Sequence, residues 1–353
     1  MNTHRRSISF LILSLLCIYS FGQQEARKGL FDSDDLLQIT LSGDLNTLFK
    51  DRADVPKLHP IVLRYQGMDS TVVSIQTLAK TRGHFRKLSE NCDYPPILLD
   101  FTNKGNTKST LFSEQDKLKL VMPCQGDEYV VREYLVYKIY NLITPMGFRA
   151  RLVKITLDNK QVKKTVAPFY GFLLEEESQM AKRNNLLSLN KPRRPENTEY
   201  AAFLTMATFE YMIGNTDWSV QYLQNIKLLA KDSNSIPTTV PYDFDHAGIV
   251  DATYAKPAEE LQISSTRQRM YRGYCVKDMK QFDPAIATFN SIKKDIYSLY
   301  QNNLLLSEKY KKSTIKFLDE FYATINNLKN FEKDFSYPCD PNGTGNIIIK
   351  GLK

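Results

Sequence analysis

Two short segments of this chain gather oxygen-bearing side chains at the ends of apolar runs: Gly214-Asn215-Thr216-Asp217-Trp218 and Pro241-Tyr242-Asp243-Phe244-Asp245-His246. Carboxylates and amides are the ligands of hard cations such as Mg²⁺, which take one or two carboxylates and complete their shell with phosphate oxygens. Phosphoryl transfer needs such a cation and one further carboxylate to orient the attacking hydroxyl. Asp217 suits the orienting role, and Asp243 or Asp245 the metal-binding role. If the second segment continues as a strand, Asp243 and Asp245 share a face and both reach the cation.

The elements that must hold these segments are legible. An apolar stripe of Ala202, Met206, Phe209 and Ile213 predicts a helix over 197–213, which Gly214 ends and which delivers Asp217. Asn225–Leu229 and Thr238–Tyr242 read as the two arms of a β-hairpin that returns the chain to Asp243.

The run Ile213-Gly214-Asn215-Thr216-Asp217-Trp218, the Asn225–Leu229 strand and Pro241-Tyr242-Asp243-Phe244-Asp245 together resemble the catalytic half of CotH-family atypical protein kinases and, more distantly, HipA-like kinases. The resemblance implies an α+β, two-lobed protein kinase-like fold with a strand-rich N-lobe, a helix-rich C-lobe, and ATP with Mg²⁺ between them. Asp217 would be catalytic, and Asp243 the metal ligand with Asp245 assisting. The family carries a metal-binding Asn four or five residues after the catalytic Asp; those positions here are Gln221 and Tyr222, so Gln221 or Asn225 would serve. Thr81-Arg82-Gly83-His84-Phe85-Arg86 is similar to the family's Arg-Gly segment near the nucleotide, which puts Arg86 on phosphate. A kinase-type fold also needs a strand lysine on the phosphates, braced by a helix Glu. Lys119 with Glu133 fits, and Lys87 is the competing lysine. The strand ending in Gly171 to Glu176 is similar to the family's Gly-x-x-x-x-Glu strand, which leads to the hinge.

Before this half, Leu37–Leu41, Ile61–Tyr65, Val72–Ile75, Ile97–Phe101 and Leu118–Val121 are short β-branched or alternating runs between turn-rich segments. They argue for an antiparallel sheet, either a kinase small lobe or a β-sandwich. Val130–Ile143 reads as a helix capped by Asp127, with Arg132 in an ion pair or a similar structural role. Strands follow at Arg149–Leu157 and Val166–Leu174, and Lys182–Pro195 reads as a polar connection. Past the site, Arg267, Arg269 and Arg272 form a basic aromatic cluster, either a dock for an acidic or phosphorylated substrate or a set of ion pairs. One helix from Asp283 through Leu299, another over Glu308–Leu328, and a polar tail past Asn330 complete the pattern.

Arg5 and Arg6 ahead of the apolar run Ile8–Tyr19 read as an export signal over residues 1–22, leaving a strand-rich part over 23–180 and a helix-rich part over 181–353. Cys92, Cys124, Cys275 and Cys339 then permit two disulfides in any of three pairings, or free buried thiols. The net charge of +8, or +6 without the two signal arginines, is dispersed and does not indicate nucleic-acid binding. An exported protein, periplasmic or secreted and without a membrane span after cleavage, acting on a protein substrate, is the expectation. An inactive nucleotide-binding pseudokinase and a structural or adhesion protein are the alternatives.

Overall fold

The computed structural model describes residues 29–67, 69–102, 107–159 and 166–339. The expected export signal and the end of the polar tail, from residue 340 on, lie outside them. The fold is α+β. In order come β1 (Leu37–Gly43), α1 (Leu45–Lys50), β2 (His59–Gln66), β3 (Val72–Thr81), β4 (Ile97–Asp100), β5 (Lys117–Val121), α2 (Asp127–Ile143), β6 (Ala150–Asn159) and β7 (Phe169–Leu174). There follow α3 (Glu177–Arg183), β8 (Leu187–Leu189), α4 (Tyr200–Ile213), β9 (Ile226–Ala230), β10 (Thr238–Pro241), α5 (Asp283–Ser291), α6 (Lys293–Gln301), α7 (Glu308–Ile325) and α8 (Leu328–Phe335).

The first seven strands close into a barrel in the order β1-β2-β3-β4-β5-β7-β6, where the expectation was an antiparallel sheet, as a kinase small lobe or a β-sandwich. Closure comes from β1 pairing in parallel with β6 while every other neighbouring pair is antiparallel. Such a long-range parallel pair leaves no local signature in sequence. Alternation along the strands sends every second side chain inward: Ile39, Leu41, Ile61, Leu63, Ile75, Leu99, Leu118, Leu120, Ile155 and Leu173 fill the barrel. On β5, β6 and β7 the opposite face is buried too. Val121, Leu152, Phe172 and Leu174 join a second, larger cluster with α2, α4 and the C-terminal helices. Gly171 permits the close approach of β7 to its neighbours, since a Cβ there would lie 2.7 Å from the Val121 carbonyl oxygen.

Several local expectations need correction. α2 starts at Asp127 with Gly126 as its cap, and the Asp127 carboxylate accepts from the Tyr170 N–H. The polar 182–195 connection contains β8, which pairs with β9 and extends the β9–β10 hairpin to three strands. The helix expected over 283–299 is broken at Ile292 into α5 and α6. The polar tail hides α8, whose Phe331 and Phe335 are buried against Tyr211, Tyr271 and Phe282. Two aromatic residues in eight make too little periodicity to read. Among the described residues, no helix is long and apolar enough to cross a membrane.

Of the three cysteine pairings, the structure has Cys92–Cys124 and Cys275–Cys339, with Cα atoms 4.3 and 5.0 Å apart. The second joins the segment ahead of α5 to the chain beyond α8 across 64 residues of sequence. Replacing both Cys275 and Cys339 by Ser should lower unfolding free energy by about 3–4 kcal/mol, because the loop that the bond closes is long. Urea denaturation of the variant, beside the oxidised parent, measures it.

Candidate functional site

α4 delivers the first segment. It is apolar on nearly every face because it is buried on nearly every face, and it ends at Gly214 in the left-handed region (φ 68°). The turn that follows is tightly held. The Asp217 N–H donates to Asn215 Oδ1 at 3.1 Å, and the Trp218 indole N–H donates to the Asn215 carbonyl at 3.2 Å. From outside the turn, the Arg272 guanidinium donates to the carbonyls of Thr216 and Trp218.

The Asp217 carboxylate receives two amide donors, Gln224 Nε2 on Oδ1 and Asn225 Nδ2 on Oδ2, the latter at 3.1 Å. Leu223 and Asn225 both have positive φ, which bends the chain back so that Asn225 faces Asp217. Asn225 is thus held against Asp217 through its Nδ2, which leaves Oδ1, the atom that could ligate a cation, outside these bonds. Gln221 makes no hydrogen bond among the described residues. Burial raises the Asp217 pKa, with Asp245 and Asp243 adding to the rise, while His246 and Arg272 oppose it. Asp217 thus lies within the field of the second segment.

That segment is not a continued strand. β10 ends at Pro241, and Asp243 takes φ 65°, its N–H donating to the Tyr137 hydroxyl at 2.9 Å. The kink leaves Asp243 exposed and turns Phe244 into the core and Asp245 inward. Even so, ligand oxygens of Glu133, Asp243 and Asp245 lie within 4.8 Å of one another. Three carboxylates at that spacing are a donor set that fits a hard divalent cation.

Arg86 stands elsewhere than expected. It is buried between two of those carboxylates, Nε donating to Asp245 Oδ2 at 2.7 Å and Nη2 to Glu133 Oε2 at 2.5 Å. A guanidinium so engaged is not free for phosphate. Glu133 accordingly braces Arg86 and not Lys119, because the loop after β3 reaches α2 while Lys119 points to the rings of Phe148 and Tyr242, 5.3 Å from each centroid. Burial raises the Glu133 pKa against the pull of Arg86. For Asp245 burial also pushes upward, but Arg86 and His246 outweigh it and the net shift is downward. Lys87, the competing lysine, donates to the Ala53 carbonyl at 2.8 Å and is out of reach. Arg132 holds the Val250 and Asp251 carbonyls and stacks on Tyr310, a structural role. Arg267 and Arg269 bind carbonyls of Gly248, Ser313, Met212 and Phe317, so with Arg272 they close the fold and form no open dock.

Residues that sequence reading missed surround the site. Arg82 and Lys227 are like charges beside Lys119, and Lys227 is paired with Glu177 at 2.6 Å. Tyr254 lies within the field of Asp245, and its ring meets those of Phe85 and His246. Only position beside the two acidic segments, as for Tyr242 and His246, signalled any of them.

No protein-family model and no curated protein matches the chain. Among solved structures it is similar to the Helicobacter pylori proinflammatory kinase CtkA, at 12% identity and TM-score 0.39, over 67% of this chain and 92% of that one.

Desolvation, then Arg82 and Lys227, lower the Lys119 pKa from 10.5 to about 8. Below about 8 the ammonium is charged in both folded and unfolded chains and its burial costs stability. Between about 8 and 10.5 the unfolded chain keeps a proton that the folded chain has released, so this contribution to stability rises with pH. Lys119→Met should therefore stabilise the protein near pH 7 by on the order of 2 kcal/mol, and the gain should shrink by about pH 10. Urea denaturation at the two pH values measures the difference.

Proposed function

We propose that this chain is an exported, kinase-like phosphotransferase of two lobes, the barrel forming the N-terminal one, that moves the γ-phosphoryl group of ATP to a hydroxyl of a protein substrate. The observation that supports this best is the meeting of three parts from distant stretches of chain: a half-buried carboxylate fixed by amides, a carboxylate cluster fit for Mg²⁺, and a desolvated strand lysine among further cations. The local resemblance to CotH-family kinases points the same way, and the two disulfides suit an oxidising compartment.

In this reading Asp217, its two oxygens steadied by Gln224 and Asn225, orients the acceptor hydroxyl and receives its proton; the raised pKa brings it closer to that task. Lys119, with Arg82 and Lys227 nearby, neutralises the phosphates. Asp243 holds the cation, which when bound supplies charge neutralisation at the transferring phosphoryl group. Desolvation makes the Lys119 charge act more strongly on a bound anion than it would in water.

A second reading, a nucleotide-binding pseudokinase, is favoured by one observation: where the resembled family carries a metal-binding Asn four or five residues after the catalytic Asp, this chain has Gln221 and Tyr222.

Calorimetry of ATP with Mg²⁺ on the mature protein separates these readings from a purely structural role. Binding should require Mg²⁺ and be lost in Asp243→Ala. Asp217→Asn should keep ATP binding while phosphoryl transfer to a protein acceptor falls by about 10²-fold or more. ATP binding without any transfer in the parent would favour the pseudokinase, and no heat with any nucleotide would sink both.

A further inference from the structure

Glu133, Asp243 and Asp245 are not equally available. Glu133 and Asp245 are buried and share Arg86, whose Nη2 and Nε lie 2.5 and 2.7 Å from their oxygens. Asp243 is exposed, and its carboxylate makes no hydrogen bond or ion pair among the described residues. Arg86 thus engages two of the three carboxylates and leaves Asp243 as the one open to solvent. Two polar side chains beside the cluster are left without a complete set of partners among the described residues. His246 is more than nine-tenths buried, its Nε2 is 4.0 Å from Asp245 Oδ2, and its Nδ1 has no hydrogen-bond partner among the described residues. The Lys119 ammonium makes no hydrogen bond or ion pair among the described residues and lies in the field of Asp243.

Kinase-type sites commonly hold two Mg²⁺ ions between their carboxylates and the nucleotide. We propose that Arg86 takes the place of one of them, so that this site binds a single divalent cation on Asp243 while Asp245 and Glu133 stay paired with the guanidinium as positioning residues. The inference rests on the kinase reading and goes further, since that reading leaves the number of metal ions open and the sequence alone would let Asp243 and Asp245 share a cation. A fixed guanidinium supplies positive charge without the cost of stripping water from a second ion. It also ties the loop after β3 to α2 and to the segment after β10, so the metal-binding carboxylate is built on a preassembled base.

Mn²⁺ provides the probe. Electron paramagnetic resonance of free Mn²⁺, titrated against the mature protein with and without ATP, should give one ion per chain at saturation. Asp243→Asn should weaken Mn²⁺ binding at least tenfold, Asp245→Asn should retain it, and Arg86→Met should admit a second ion. Two ions per chain in the parent with ATP bound would overturn the inference and leave the kinase reading standing. Loss of Mn²⁺ in Asp245→Asn with retention in Asp243→Asn would overturn it equally. No Mn²⁺ binding under either condition would overturn both. If Arg86→Met does not fold, the parent count and the two Asp variants decide.

Discussion

A guanidinium buried between two carboxylates is the constraint around which the site is arranged. Removing Arg86 from water is costly, and only close, well-aligned charge partners offset that cost. Those partners come from far apart in the chain, Glu133 on α2 and Asp245 after β10, so the ion pairs form only when the barrel, the helix and the hairpin are all in place. The Cys92–Cys124 bond ties the loop that carries Arg86 to the link between β5 and α2. Arg52 adds a second tie, donating to the carbonyls of Lys87, Cys92 and Asp93.

The same logic governs the other side of the site. Asp217 is buried enough that its carboxylate needs donors, and amides supply them without adding charge. Arg272 grips the backbone of that turn, which explains why the arginines after Gly248 face inward. Positive charge near the candidate phosphate position therefore comes from Lys119, Arg82 and Lys227, none of which has to be withdrawn from the acidic cluster. The cations thus divide into one buried arginine paired with the carboxylates and a group, Lys119, Arg82 and Lys227, that is not paired with them.

Much of the local structure was readable from residue pattern. The strands at 37–41, 61–65, 97–101 and 118–121, the helix ending at Gly214 and the hairpin before Asp243 follow from alternation, helical spacing and a glycine cap, because each is set by neighbours close in sequence. Barrel closure was not readable, since it depends on β1 meeting β6 in parallel across more than a hundred residues. The break at Ile292 and the short helix α8 were missed; the apolar residues of α8 acquire meaning only against Tyr211 and Tyr271.

For the site, the sequence by itself determined which residues have suitable chemistry: Asp217, Asp243, Asp245, Glu133, Lys119 and Arg86 all carry ionisable groups on the elements and turns that the pattern marks out. Tertiary structure alone decided their partners. It gave Glu133 to Arg86 and not to Lys119, bent Asn225 toward Asp217, and separated the exposed Asp243 from the buried Asp245 through one residue at positive φ. The physical reason is that a charge pair is set by distance and desolvation in three dimensions, and neither quantity is written in the order of residues along the chain.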